Sequence, residues 1–200
     1  MSRVSCENLT DIYTLMPVNS KKIVIDPNPV LHKSAAEVPI AEITSKKIQQ
    51  ILADMATALR NTSEGIGIAA PQIGYSLRIF LASEEALRWN EPEETPHEDK
   101  KKKQWAYYAF INPVIIKASK KKTRETEGCL SVPKTYGTVE RSEKVTVEAY
   151  DEHGNKFQRG TSKLYARVMQ HEVDHLHGVL FIEKAKNIKK LTADKRKTES

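Results

Sequence analysis

The segment Gln170-His171-Glu172-Val173-Asp174-His175 sets two imidazoles four residues apart, with a carboxylate directly after the first. On a helix, residues four apart lie one above the other, so both histidines can ligate one metal ion while Glu172 stands beside it as a proton carrier. This is a layout for metal-assisted hydrolysis. Such centres usually take three protein ligands and keep a further position for water. The chain follows the longer pattern HExxHxxGxxH through Gly178, but the place of its last histidine is taken by Phe181, whose ring cannot donate to a metal. The third ligand must come from elsewhere.

There are two cysteines, Cys6 and Cys129. Cys129 lies in Glu127-Gly128-Cys129-Leu130-Ser131 and is the better ligand candidate. A thiolate is soft and anionic, and it suits Zn or Fe(II) alongside imidazole. By composition alone it could equally be a buried structural thiol, since free cysteine behaves as a small hydrophobe. Its flanking residues favour the ligand. A third segment, Gly65-Ile66-Gly67-Ile68-Ala69-Ala70-Pro71-Gln72-Ile73-Gly74, lacks both the phosphate-loop pattern and the full GxGxxG, which argues against a nucleotide site.

Taken in order, the segments ending in QIG, EGCLS and QHEVDH resemble the peptide deformylases, and Asp26-Pro27-Asn28-Pro29-Val30-Leu31 and Ile111-Asn112-Pro113 are similar to that family's flanking landmarks. The resemblance runs from about Ile23 to Glu183. It implies a metal-dependent hydrolase that removes the formyl group from the N-terminal formylmethionine of nascent polypeptides, releasing formate. Cys129, His171 and His175 would hold one divalent ion, Fe(II) being favoured and Zn, Ni or Co also fitting. Glu172 would carry the proton between water and leaving nitrogen, while the Gln72 amide and the Leu130 backbone N–H would donate to the carbonyl oxygen. Substrate would lie along Gly65, Ile66, Gly67 and Ile68 like an added strand, with Ile66, Leu130 and Val168 as candidates for the methionine pocket. The resemblance also nominates Arg141 and Asp174 as a pair supporting the ligands, and Glu127 as a residue holding two of the motifs in register. Three positions depart from the family pattern: Lys134, where many relatives carry glycine; Arg167, a charge one turn before His171; and Ile68 for the more usual leucine, which conserves volume. The first two are expected to act on substrate preference.

Positioning these residues requires particular elements. Leu164, Val168, His171 and His175 form one helical stripe, which predicts a helix capped by Thr161 or Ser162 and ended by Gly178, with His177 on its exposed side. Ile48, Ile51, Leu52, Met55 and Leu59 give helical spacing within 43–59. Strands are expected over 77–81, 106–116, 144–150 and 156–159. The expected fold is α+β: antiparallel or mixed sheets packed around a central metal-binding helix, with a C-terminal helix after Phe181.

The 200 residues fit one catalytic domain over 23–183, preceded by a flexible extension (1–22) and followed by a basic tail (184–200). Met16 is a second candidate start. Residues 84–104, with an acidic run and then Lys100 to Lys103, read as an exposed insertion. No apolar run reaches membrane-spanning length, and the sparse cysteines suit a reducing, cytoplasmic setting. The net charge of +6 owes much to the tail, which would contact ribosomal RNA through its phosphates or serve only to solubilise. The alternatives to an active enzyme are an inactive relative and a basic RNA-binding protein with a structural metal site.

Overall fold

A computed structural model describes residues 4–5, 22–62, 65–84 and 106–191. The chain forms β1 (Val4–Ser5), α1 (Lys46–Arg60), β2 (Gly67–Ala69), β3 (Ile79–Ser83), β4 (Ala106–Ala118), β5 (Lys122–Cys129), β6 (Val132–Ser142), β7 (Lys144–Tyr150), β8 (Lys156–Ser162), α2 (Lys163–Leu176), α3 (Phe181–Lys184) and β9 (Lys186–Lys190). One sheet has the order β2-β3-β4-β7-β8 with β1 paired to β4, and the other has the order β5-β6-β9. Every ladder among these strands is antiparallel.

The larger sheet carries a helix on each face. Ile48, Ile51, Leu52, Met55 and Leu59 of α1 pack with Ile79, Leu81 and Ile111. Phe80, Ala82, Phe110, Val145 and Val147 point the other way, onto Val168, Met169 and Val173 of α2. This explains why all five residues of β3 are buried: alternate side chains serve two separate cores. The apolar side of α2 therefore lies on the larger sheet. Its other side meets β5 and β6, where Arg167 bonds Thr123 and the Val139 carbonyl, and Gln170 exchanges bonds with the Ser142 main chain. The metal-site helix is thus held between two sheets.

Local chemistry sets the helix ends. The Ser45 hydroxyl accepts from the Ile48 N–H, so α1 starts at Lys46 rather than at Ile43, which is buried in the preceding turn. Ser162 sits at the N-cap of α2 in an extended conformation, without a side-chain cap bond. Beyond the other end, Gly178 takes φ +73, and a Cβ there would collide with the backbone of His32 and Lys33.

The expected C-terminal helix is present but is a single turn, α3, after which the chain becomes a strand: the basic stretch that follows pairs with β6 through Thr135–Lys190, Tyr136–Lys189 and Thr138–Lys186. All five β9 residues are exposed, so no apolar periodicity marked it in advance; pairing with β6 is what organises it. Of the insertion over 84–104, only Glu84 falls within the described residues, as does the tail only through Leu191 and the extension only at Val4, Ser5 and Lys22. Among the described residues, no helix is long and apolar enough to cross a membrane.

Candidate metal centre

Three elements converge at one point. The strand β5 ends on Cys129, α2 supplies His171, Glu172 and His175, and a short 3-10 turn after β2, Ala70–Ile73, supplies Gln72. The turn closes on Gly74 at φ +88, a conformation side chains disfavour. The donor atoms of Cys129, His171 and His175 all lie within 4.8 Å of one another. The Cys129 Sγ is 3.2 Å from His175 Nε2, and the two imidazole rings are 5.0 Å apart. Residues 46 apart in sequence therefore complete what the helix alone began. Phe181, which displaced a third histidine, stacks on His171 at 6.2 Å instead.

A soft thiolate and two imidazoles form a donor set suited to a divalent ion such as Zn or Fe(II). The electrostatics fit a cation as well. Burial opposes charge on His171, but its bonds to Cys129 and Glu127 outweigh that and push its pKa up to about 10, so the surroundings of this ring favour positive charge. Burial, reinforced by His171 and Arg141, holds His175 well below its ordinary value and keeps it a neutral donor.

His171 Nδ1 is oriented by Glu127 Oε2 at 3.0 Å. Glu127 is itself gripped by Arg141 through Nε at 2.6 Å and NH2 at 2.8 Å, and by Arg167 NH1 at 2.6 Å. Burial pushes this carboxyl up, yet Arg141 and His171 prevail and hold it far below the usual carboxylate range. Arg141 continues to Asp174 at 2.7 Å, and Asp174 accepts from Lys184 at 2.6 Å. The expected Arg141–Asp174 pair is therefore in contact, and Glu127 is the point where β5, β6 and α2 are tied. Arg167, expected to influence substrate preference, lines the cavity described below, but it is 5% exposed and bound to Glu127, Val139 and Thr123. The signal was available: a guanidinium on the buried side of a helix needs a carboxylate, and Glu127 stood in the adjoining motif.

Glu172 is 4% exposed, its Oε2 has no partner, and burial lifts its pKa to about 7 despite His171 and Arg141. A carboxyl with that affinity can both take and return a proton near neutrality. Gly67 faces it directly, and any Cβ there would strike Glu172 Oε1 and the Val168 side chain. The Gln72 Oε1 accepts from the Ala69 N–H at 2.8 Å, which fixes the amide so that Nε2 faces Cys129 Sγ at 3.6 Å and Ser131 Oγ at 3.2 Å.

These groups open into a cavity of about 670 Å³ lined by Gly65, Ile66, Gly67, Gln72, Cys129, Leu130, Val168, His171 and Glu172, among others. Strand alternation turns the Ile68 side chain away from Gly67 and buries it completely in the core beneath α1, so any contact of Ile68 with a peptide laid along β2 is through its main chain. His177 is exposed, as its position on the helix requires. A second hollow of about 690 Å³ is lined by residues such as Lys117, Lys144 and Arg159 and contains no thiol, imidazole or carboxylate.

Comparison with known proteins agrees with this arrangement. The family model for polypeptide deformylase matches residues 20–191. The chain is 40% identical over 164 residues to peptide deformylase of Pseudothermotoga lettingae, covering 82% of this chain and 81% of that one. It is 38% identical over 169 residues to peptide deformylase 1A, chloroplastic/mitochondrial, of Arabidopsis thaliana, covering 84% of this chain but only 62% of that relative. Among solved structures, a Legionella pneumophila peptide deformylase superposes with TM-score 0.69 at 34% identity, covering 84% of this chain and 86% of that one. A Met-Ala-Ser-bound class I type b peptide deformylase of Acinetobacter baumannii gives 0.70 at 30% identity, covering 84% and 99%.

Proposed function

This chain belongs to the polypeptide deformylase family, and from that premise we propose that it hydrolyses the formyl group from the N-terminal formylmethionine of nascent polypeptides. The observation that carries the reading is the convergence of Cys129, His171 and His175 within 4.8 Å beside the buried Glu172, at the floor of an open cavity. Cys129, His171 and His175 would hold one divalent ion, Fe(II) for preference, with Zn, Ni or Co as substitutes. When bound, such an ion acidifies a water and polarises the formyl carbonyl.

The protein's own groups supply the rest. Glu172, with a pKa of about 7, accepts a proton from the attacking water and passes it to the departing amine nitrogen. The Gln72 Nε2–H and the Leu130 N–H donate to the carbonyl oxygen as it gains charge. Glu127 holds the His171 ring through Nδ1, and Arg141 with Asp174 holds Glu127. The peptide runs along Gly65, Ile66 and Gly67, where β2 has β3 on one side, with its methionine against Ile66, Leu130 and Val168. A Met-Ala-Ser peptide bound to the Acinetobacter baumannii relative supports this substrate class. A structural metal site would be closed by four ligands, whereas one cluster of three is formed among the described residues.

The test is formate release from formyl-Met-Ala-Ser by anaerobically prepared protein loaded with Fe(II) or Ni(II). The parent is expected to turn over, and Glu172→Ala to lose about 10²–10⁴-fold while retaining its metal. No release by folded, metal-loaded parent would refute the reading. Exposure to air should inactivate the Fe(II) form faster than the Ni(II) form, through oxidation of iron or Cys129. Ribosome contact through the tail is tested by co-sedimentation with and without residues 184–200; unchanged binding would refute it.

A further inference from the structure

Next to the ligand Cys129, the β5–β6 ladder breaks: Gly128 pairs with Tyr136, but Cys129 pairs with Val132, so Pro133, Lys134 and Thr135 are extruded from the register. Bulges of this kind re-aim side chains beside functional sites. Lys134 at the centre of the bulge takes φ +57, which a long side chain rarely adopts, and it is exposed on the lining of the cavity. The bulge is clamped from behind, where the Leu191 N–H donates to the Lys134 carbonyl at 2.7 Å and Lys190 pairs with Thr135.

The β9 strand adds a second charge to this side. Lys189 stands directly opposite Tyr136, and opposed residues share a face of a sheet. Tyr136 lines the same cavity. Among the described residues, no carboxylate is paired with Lys134 or Lys189, whereas the two acids of the cavity, Glu127 and Glu172, are both buried. Among the described residues, the mouth therefore presents lysines without an acidic partner.

We propose that Lys134, seconded by Lys189, is a specificity element that favours formylated peptides with acidic residues following the methionine. The proposal rests on the deformylase reading and adds to it the class of sequence preferred. A peptide laid along β2 shares its cavity with this rim, where its carboxylates would meet two ammonium groups that have no acidic partner among the described residues. Being exposed, these act mainly on encounter and binding, so the effect belongs in KM rather than kcat, and it weakens with salt.

The test compares kcat/KM for three C-terminally amidated peptides, formyl-Met followed by three Asp, three Ser or three Lys, together with the binding of their deformylated products to the metal-loaded full chain. The parent is expected to prefer Asp over Ser by about three- to fivefold at low salt, losing this preference near 0.5 M salt. Lys134→Gln should bring the ratio towards one and Lys134→Glu should invert it towards the Lys peptide. Lys134→Gly should flatten it likewise while raising thermal stability, because glycine accepts positive φ without strain. Equal kcat/KM for all three peptides in the parent, or an unchanged ratio in Lys134→Gln, would overturn the rim proposal alone. Absence of both turnover and product binding for every peptide would overturn the deformylase reading along with it.

Discussion

The floor and the rim of the cavity are built by opposite means. At the floor, the charges that orient the ligands are tied to one another: His171 to Glu127, Glu127 to Arg141 and Arg167, Arg141 to Asp174. At the rim, Lys134 is exposed, held in a left-handed backbone, and paired with no acid among the described residues. A group that must keep a ligand within a few tenths of an ångström needs a crowded, mutually satisfied surrounding. A group that only biases what approaches can stand free. The difference teaches that chemistry and preference can change independently in this protein, because no described contact links Lys134 to the ion-pair network.

Substitutions at the floor should therefore cost far more than those at the rim. Arg141→Ala leaves Glu127 and Asp174 without their shared partner, and it is expected to cost about 3–5 kcal/mol in chemical denaturation. It should also weaken metal affinity about 10–100-fold through the loss of His171 orientation. A loss below about 1 kcal/mol would erase the contrast. Arg167→Leu leaves Glu127 two of its partners and should cost less, roughly 1–3 kcal/mol, by the same measurement.

Gly67→Ala probes the floor from its other wall. Its methyl group meets Glu172 and Val168, so a destabilisation of about 1–3 kcal/mol is expected. Turnover should fall with it, since the displaced group is Glu172; unchanged kcat/KM would show that the wall yields freely.

The pH dependence sharpens the same point. Glu127 has its folded pKa depressed below the ordinary 4.5. The unfolded chain therefore binds the proton first as pH falls, so the stabilisation is complete above that value and is lost as pH drops towards the folded pKa. Acid titration of the metal-free protein should show this loss, and Glu127→Gln should remove that part of the slope. At the rim, Lys134→Gly should raise stability by up to about 1 kcal/mol, the only stabilising change in the set.

Much of the floor was legible in the chain. The stripe Leu164, Val168, His171 and His175 required a helix, and α2 spans Lys163–Leu176. The alternation of Val145, Val147 and Ala149 marked β7 with the bounds Lys144–Tyr150. Less legible were β5, β6 and β9, whose polar sequences carry weak periodicity because much of their surface faces solvent. The buried ion pair of Arg167 was less legible for a related reason: its spacing from His171 was clear, but the partner lay 40 residues away on another element. Ile68 sat correctly in its motif, yet the side chain falls on the far face of a strand only three residues long.

What the sequence by itself determined is the donor chemistry and its local spacing: two imidazoles and a carboxylate on one helix, a thiol after glycine, a glutamine closing a glycine-rich turn. These follow from residue type and helical period, which act over a few residues. Only the tertiary structure decided that Cys129 meets His175, that four charged side chains converge around His171, and that a basic C-terminal stretch becomes the strand clamping Lys134. Those outcomes depend on which elements pack together and on which buried charges meet a partner, and neither is a local property of the chain.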